Sequence, residues 1–387
     1  MPRLLFGALL CLAAMHGAAA PRVPADAREV LERLPIRPAD PIAAELRSLR
    51  AVAAAAPADP AAAGALARRY FALAMAQGDP RYVGYAQAAL APWHQADHAP
   101  AEILVLRALL RQYRHDFEGA LADLALAVQR DPRDAEARAW RAAIHMVRAD
   151  YAAAERECAA LVPLTDELQA IGCTAYVKAT NGQTREAYLQ LRDALSRAPQ
   201  SGPAARLWTL TRLADMAARL GDTAAAERHF RDALALDLSD NYLLTAYADF
   251  LLEQHRDREV VNLLRDWARA DTLLLRLALA ETRLGAPGAA QRVQALGERF
   301  AAAGLRGERL HLQEEARFLL ELRADPAAAL AAAAENWKTQ REPRDAMILL
   351  EAARAARDAA AAAPAQDWLA RTGFEHARMR RLAAELQ

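Results

Sequence analysis

The best candidates for a metal site in this sequence are His94 and His98, which flank Asp97 in a segment with the pattern of a loop. Imidazole and carboxylate groups bind zinc, but a structural zinc site needs about four ligands, and these three have no further candidate beside them. Glu314 and Glu315 form an adjacent acidic pair, which is most simply a solvated helix face. We interpret both groups as surface residues and keep a cryptic metal-binding protein or enzyme as an alternative.

Short motifs that mark common active sites are missing from the sequence. It contains no Gly-x-Ser-x-Gly, no His-Glu-x-x-His, no phosphate-binding loop and no Cys-x-x-Cys. The 49 Lys and Arg residues are balanced by 49 Asp and Glu residues, whereas nucleic-acid-binding proteins usually carry an excess of basic residues. The sequence therefore predicts a protein that is not an enzyme, uses no cofactor or metal and does not bind nucleic acid.

The elements that position any site are expected to be helical, because the chain is rich in alanine. Hydrophobic residues make up 54% of the sequence, but aromatic residues only 6%. Alanine has the highest helix propensity, whereas the β-branched residues that favour strands are sparse. With 16 Gly and 19 Pro in 387 residues, collagen-like and Pro/Gly-rich disordered chains are excluded. The length suits two or three helical domains or one repeat array.

The N-terminus has the pattern of a signal peptide. Arg3 provides a positive charge, residues 4–15 form an apolar stretch, and residues 16–20 are mostly small. We favour cleavage after Ala19, because cleavage one residue later would place Pro21 first in the mature chain. The apolar stretch is too short to span a bilayer, and no later stretch has about eighteen apolar residues without a charge. We therefore expect a periplasmic protein, with secretion as the alternative and no membrane span in the mature chain.

A short turn sequence recurs about every 34 residues through the middle of the chain. Its five successive copies include Asp116-Phe117, Asp150-Tyr151, Gly182-Gln183, Gly221-Asp222 and Arg256-Asp257. Small residues recur at fixed distances on both sides of this turn, where two helices would cross closely: Ala108, Ala142, Ala175, Ala214 and Ala248 before it, and Ala120, Ala154, Ala187 and Ala226 after it. Larger residues that would fill the space toward the next unit follow at Leu124, Cys158, Leu191, Phe230 and Leu264.

This pattern resembles the tetratricopeptide repeat, a unit of two antiparallel helices. Five units fit well between residues 101 and 270, and weaker ones precede and follow them. The resemblance implies an all-α fold, a right-handed α-solenoid of about eight to nine helix pairs in which each repeat mainly contacts its neighbours. We divide the chain into a signal peptide at 1–19, a Pro- and Ala-rich segment with one leading helix at 20–64, a solenoid at 65–303, and degenerate helix pairs with a capping helix at 304–387.

Two cysteines remain in the mature chain, Cys158 and Cys173. In the repeat register they lie on adjacent helices, the second helix of one unit and the first helix of the next. In an oxidising compartment, an even pair at such positions is typical of a disulfide. Two buried free thiols are the alternative, because cysteine also packs well in a core.

The resemblance also implies a binding groove, because the first helices of such units line a concave surface where peptides commonly bind. The register places these residues on the groove: Glu102, Gln112, Tyr113, Tyr176, Trp208, Asp215, Arg219, Tyr242, Asp249 and Glu253. Aromatic residues and arginine are enriched at binding hot spots, although Trp208 and Tyr242 could instead only pack between neighbouring helices. We therefore expect a non-enzymatic interaction module, a scaffold, adaptor or assembly factor that binds a protein or peptide. A purely structural or self-associating solenoid is the alternative, and the partner and the oligomeric state stay open.

Overall fold

The computed structural model describes residue 26 and residues 40–386, except 95–97 and 309. The signal peptide expected at 1–19 therefore lies outside the described residues, as does Asp97 of the histidine-containing segment. The chain divides into two compact units, residues 1–47 and 48–387. The features discussed below all belong to the second unit.

Helices account for nearly all regular structure among the described residues, and none of these residues lies in a strand. The helices are α1 Pro41–Ala55, α2 Pro60–Gln77, α3 Arg81–Ala89, α4 Ala101–Tyr113, α5 Phe117–Arg130, α6 Ala135–Val147, α7 Tyr151–Leu161, α8 Glu167–Thr180, α9 Thr184–Arg197, α10 Pro203–Arg219, α11 Thr223–Leu234, α12 Asn241–Glu253, α13 Asp257–Leu264, α14 Asp271–Arg283, α15 Ala289–Leu305, α16 Leu312–Glu321, α17 Pro326–Trp337, α18 Pro343–Ala356, α19 Ala363–Thr372 and α20 Ala377–Glu385. Short 3-10 turns occupy Ala91–Trp93 and Ala360–Ala362. Within the described part of the chain, no helix is both long and apolar enough to cross a bilayer.

From α2 to α19 the helices pack as successive hairpins, each even-numbered helix against the helix that follows it. Neighbouring hairpins also contact each other through their first helices, as α4 contacts α6 and α10 contacts α12. The all-α solenoid of paired helices is thus confirmed, and with it the resemblance to the tetratricopeptide repeat at the level of the fold. The weaker units suggested at both ends of the array are also hairpins, α2–α3 and α14–α15 among them.

The recurring alanines are buried in the helix pairs, as their spacing predicted. Ala120, Ala154, Ala187 and Ala226 are all 0% exposed. A methyl group lets two helix backbones approach closely, and a larger side chain in such a packed position would force the helices apart. The larger residue that follows each alanine, such as Phe230, is buried as well.

The recurring turn sequence has a geometric cause. The residue before the turn's aspartate takes the left-handed backbone conformation, with φ of 58° at Ala149 and 81° at Gly221. The aspartates that follow, Asp150 and Asp222, each accept a hydrogen bond from the backbone N–H three residues later, over 3.1 and 2.9 Å. Glycine is favoured at the left-handed position and aspartate at the helix cap, which explains the Gly221-Asp222 turn, whereas Ala149 adopts the same conformation without being a glycine.

The second unit does not extend as an open array, because later hairpins contact earlier ones. The side-chain amide of Asn241, at the start of α12, donates a hydrogen bond to the backbone oxygen of Met75 in α2 over 3.1 Å. The backbone N–H of Thr184, at the start of α9, donates to the carboxylate of Glu375 near the C-terminus over 2.8 Å. The expectation that each repeat mainly contacts its neighbours is therefore incomplete, since hairpins far apart in sequence also pack together.

Candidate functional site

The residues assigned to the groove fall into two groups in the structure. The larger group lies on three first helices, α8, α10 and α12, of which α10 contacts both others: Tyr176, Trp208, Asp215, Arg219, Tyr242, Asp249 and Glu253. The smaller group, Glu102, Gln112 and Tyr113, lies on α4. Burial raises the pKa of Tyr113, and the carboxylates of Asp271 and Asp79 raise it further. Tyr113 therefore belongs to the junction of early and late hairpins.

Five side chains from α8, α10, α12 and α18 form a cluster that we call the arginine–aromatic stack: Tyr176, Trp208, Arg212, Tyr242 and Arg344. The guanidinium carbon of Arg212 lies 4.0 Å from the ring centroid of Tyr176 and 4.6 Å from that of Tyr242. It also lies 5.4 Å from the ring centroid of Trp208. Arg344, at the start of α18, lies 4.8 Å from the centroid of Tyr242. All four distances are within the range of cation–π interactions.

The indole of Trp208 is held in a notch on α8 at Gly172. A Cβ atom at Gly172 would lie 2.7 Å from Cζ3 of Trp208, so any side chain there would displace the indole. Tyr176, one turn later on α8, meets the indole edge-on with ring centroids 6.5 Å apart. Trp208 nevertheless stays 36% exposed and Tyr242 41% exposed. These rings therefore pack between neighbouring helices and also present surface to solvent.

The polar atoms of the stack are incompletely paired. Arg212 donates from Nη1 to the hydroxyl of Tyr242 over 2.6 Å, and its buried Nε has no hydrogen-bond partner. Arg344 has no hydrogen bond or ion pair with any described residue beyond its contact with Tyr242. Burial raises the pKa of Tyr176 far above its usual value, and Arg212 offsets this only in part. Tyr176 is therefore a neutral phenol across the physiological pH range.

Asp249, which the register assigned to the groove, belongs to an ion network that joins three helices. Arg276 of α14, which is 0% exposed, donates to both of its carboxylate oxygens over 3.0 and 2.8 Å. Arg317 of α16 donates to Asp249 Oδ1 over 2.6 Å and to Glu321 over 2.7 Å. The carboxylate of Asp249 is thus occupied by partners within the chain.

Arg219, also assigned to the groove, is held by the C-terminal part of the protein. Its guanidinium carbon lies 4.4 Å from the ring centroid of Phe374, and its Nη atoms donate to the backbone oxygen of Ala179 over 3.2 Å. Asp215 lies 3.5 Å from Arg219 Nε and keeps a half-exposed side chain. Glu253 is exposed, and its pKa is raised by partial burial and by the nearby Asp249.

The register of the repeats missed Arg212 and Arg344. Arg212 follows Trp208 by one helical turn on α10, so the Trp-x-x-x-Arg spacing is a signal that could have identified it. No local signal exists for Arg344, because it reaches the stack from a hairpin far along the chain.

Cys158 of α7 and Cys173 of α8 are disulfide-bonded in the structure, with Cα atoms 5.4 Å apart. The bond joins two neighbouring hairpins inside a small apolar cluster that includes Ala154 and Val177. Because Cys173 precedes Tyr176 by one turn, the bond also fixes the helix that carries the first ring of the stack.

The two cysteines are 15 positions apart, so the bond closes a short loop. We expect the double variant Cys158→Ala, Cys173→Ala to have a free energy of unfolding about 3 kcal/mol lower than that of the wild type, because a loop of this length gives about that stabilisation. Urea denaturation without reductant measures the difference, and wild-type protein treated with reductant should lose a similar amount. Labelling of both thiols in denatured, unreduced wild-type protein would show that the bond does not form in solution.

The remaining candidates for chemistry show no assembled site. His94 ends a 3-10 turn, and across the described residues no group of three or more His, Cys, Asp or Glu could hold a metal ion. Glu314 differs from the expected solvated face, because its side chain is largely buried and lies 3.7 Å from Nη1 of Arg276. The buried guanidinium of Arg276 explains why this acid turns inward.

No protein-family model and no curated protein matches the sequence. Similar solved structures include a tetratricopeptide repeat protein from Parabacteroides merdae, with 17% identity, a TM-score of 0.43 and coverage of 62% of this chain and 86% of that chain. A monomeric mutant of IFIT1 with Gppp-AAAA has 13% identity, a TM-score of 0.40 and coverage of 89% and 77%. The Cut9–Hcn1 hetero-tetramer of APC/C has 13% identity, a TM-score of 0.32 and coverage of 89% and 86%. At these identities the likeness concerns the fold alone.

Proposed function

We propose that this protein is a non-enzymatic interaction module of the periplasm, a scaffold, adaptor or assembly factor that binds a protein or peptide on the concave surface of α8, α10 and α12. The observation that carries the proposal is the pair of half-exposed rings, Trp208 and Tyr242, held beside Arg212. Tryptophan, tyrosine and arginine are the residue types most enriched at binding hot spots.

The rigidity of the surface supports this proposal. Trp208 is fixed by the notch at Gly172, and Tyr242 is fixed by the hydrogen bond from Arg212. A partner that contacts rings already held in place loses less conformational freedom on binding, so a larger share of the contact energy appears as affinity. A surface whose rings served only to separate helices would not need their edges open to solvent.

The proposed location is supported by two independent features of the chain. The N-terminus has the pattern of a signal peptide ending at Ala19, and Cys158 and Cys173 form a bond of the kind that persists in oxidising compartments. Secretion beyond the cell envelope is the alternative, and fractionation of cells that express the tagged protein separates the two.

The experiment that tests binding is crosslinking in the intact periplasm, followed by mass-spectrometric identification of the captured proteins. We expect the double variant Trp208→Ala, Tyr242→Ala to lose partners that the wild type captures, by at least about tenfold in yield, because hot-spot truncations cost about 2 kcal/mol or more each. The matched control is Val162→Ala, Leu305→Ala, which removes two exposed apolar side chains elsewhere and should keep the partners.

Two outcomes would contradict this function. Retention of every partner by the Trp208→Ala, Tyr242→Ala protein would show that the concave surface is not the binding site. Light scattering that finds a stable oligomer, together with no captured partner, would favour a purely structural or self-associating solenoid.

A further inference from the structure

The two arginines of the arginine–aromatic stack differ from the other interior arginines of the chain. Arg276 is fully buried and bonded to Asp249, and the buried Arg107 is bonded to Asp123. An interior guanidinium is costly unless a carboxylate or several acceptors compensate it. The chain supplies that compensation where an arginine is structural.

Arg212 and Arg344 have no carboxylate bonded to them in this way. Neither forms an ion pair within 4.0 Å with any carboxylate of the described residues. Burial lowers the pKa of Arg344, but the nearby Tyr242, Asp249, Glu342 and Asp215 raise it above its usual value. These acids have other direct partners: Asp215 lies beside Arg219 at 3.5 Å, and Asp249 is bonded to Arg276 and Arg317. Glu342 takes part in the capping box at the start of α18, and Glu253 lies about three turns beyond Tyr242 on α12. No carboxylate of the described residues is therefore bonded directly to either guanidinium group of the stack, although these acids lie nearby.

The two guanidinium groups share one aromatic partner. Both lie over the same Tyr242 ring, at 4.6 and 4.8 Å from its centroid. Their flat faces are used by aromatic rings, which leaves the N–H edges of Arg344 free to donate. Arginine binds carboxylates through such edges in two parallel, charge-assisted hydrogen bonds.

We propose that the arginine–aromatic stack binds the side-chain carboxylates of an acidic segment in the partner protein. Arg344 and Arg212 donate to aspartate or glutamate side chains, while the exposed surfaces of Trp208 and Tyr242 contact the apolar parts of the same segment. This inference rests on the proposed function and names the chemistry of the ligand.

The test measures binding of fluorescently labelled peptides of about eight residues by fluorescence anisotropy, with the full mature protein. The first peptide alternates Glu with Leu and Gly and has blocked ends. The second has Gln in place of every Glu, and the third is the Gln peptide with a free C-terminal carboxylate. We expect the Glu peptide to bind at least about tenfold more tightly than either other peptide, and its affinity to fall with added salt.

Variants locate the site. Arg344→Gln and Arg212→Gln should each lower the affinity for the Glu peptide by about tenfold or more, because each removes a charge-assisted donor pair. The matched control is Arg185→Gln, which removes an exposed arginine of α9 that has no ion pair with any described residue. Its affinity for the Glu peptide should equal that of the wild type.

Folding of each variant is checked by thermal denaturation. If Arg344→Gln lowers the melting temperature, Arg344→Lys provides the second variant, because lysine keeps the charge and loses the two parallel donors. We then expect Arg344→Lys to bind the Glu peptide several-fold more weakly than the wild type, with the same salt dependence.

Three results would overturn the proposal: equal binding of the Glu and Gln peptides, preference for the free C-terminal carboxylate, or an equal loss of affinity in Arg185→Gln. The proposed function would survive any of them, provided that Trp208→Ala, Tyr242→Ala still loses its partners in the periplasm. Loss of the Glu peptide in both arginine variants, with the control unaffected, supports the acidic ligand.

Discussion

Replacing Asp249 with alanine is expected to lower the free energy of unfolding by about 3 kcal/mol, because it removes the shared carboxylate from two interior guanidinium groups. Arg276 is 0% exposed and donates to Asp249 through Nε and Nη2. Arg317 loses one of its two acceptors and keeps Glu321. The retained carboxylates place the cost at the lower end of the range for breaking a buried ion pair. Urea denaturation at neutral pH measures it.

The matched control for this prediction is Asp215→Ala. Asp215, on α10, also lies beside an arginine, 3.5 Å from Arg219, but its side chain is 50% exposed. A pair of this kind contributes about 0–1 kcal/mol, so the control should change stability little. Equal losses in the two variants would mean that the network around Asp249 has no special role in holding α12, α14 and α16 together.

The same network predicts a pH dependence. Burial by itself would raise the pKa of Asp249, but Arg276 and Arg317 hold that pKa well below its usual value. A carboxylate whose pKa is lower in the folded state contributes stability above its unfolded pKa, and loses it as the pH falls through the folded value. The difference between wild type and Asp249→Ala should therefore be constant from pH 7 to about pH 5 and shrink below about pH 4.

Asp249 also shows how far the sequence determines the site. The repeat register assigned it to the first helix of its unit, where α12 lies, because its position within a helix follows from the turn spacing and the crossing alanines. The register could not reveal its partners. Arg317 belongs to α16, two hairpins later, and the distance between such hairpins depends on a small rotation accumulated over each repeat. No single residue in the sequence encodes that rotation.

The arginine–aromatic stack likewise contains residues that the sequence could assign and one that it could not. Tyr176, Trp208 and Tyr242 could be assigned from the register, because they occupy equivalent faces of successive first helices. Arg344 could not, because it enters the stack only when the later hairpins pack against the earlier ones. The local rules of helix pairing fix the hairpins, whereas contacts between distant hairpins fix the charge at the candidate site.

Trp368 contributes to these contacts between distant hairpins. Its side chain is 1% exposed and packs between Trp337 and Phe374, with ring centroids 6.3 and 5.3 Å away. Its indole N–H donates to the hydroxyl of Tyr151, at the start of α7, over 2.7 Å. Burial raises the pKa of Tyr151 to about 12, so this hydroxyl stays neutral. One side chain therefore joins the last hairpins to the third.

We expect Trp368→Ala to lower the free energy of unfolding by about 3–5 kcal/mol, the usual cost of removing a buried tryptophan. Tyr151→Phe is the matched control, because it removes only the hydroxyl and leaves the indole N–H without an acceptor. Its expected cost is about 1–3 kcal/mol. Urea denaturation ranks the two variants, and a larger loss in Tyr151→Phe would show that the hydrogen bond matters more than the packing.

Hydrogen exchange separates local damage in Trp368→Ala from loosening of the packed hairpins. If Trp368 holds the late hairpins against the early ones, amide exchange should become faster at the α6–α7 and α8–α9 turns as well as in α19. These turns form hydrogen bonds with the C-terminal part of the chain, and such regions exchange faster when their contacts loosen. Faster exchange confined to α19 would contradict this. Because α18 carries Arg344, loosening of the contacts between hairpins should also lower the affinity for the Glu peptide. That result would link the packing of distant hairpins to the binding site.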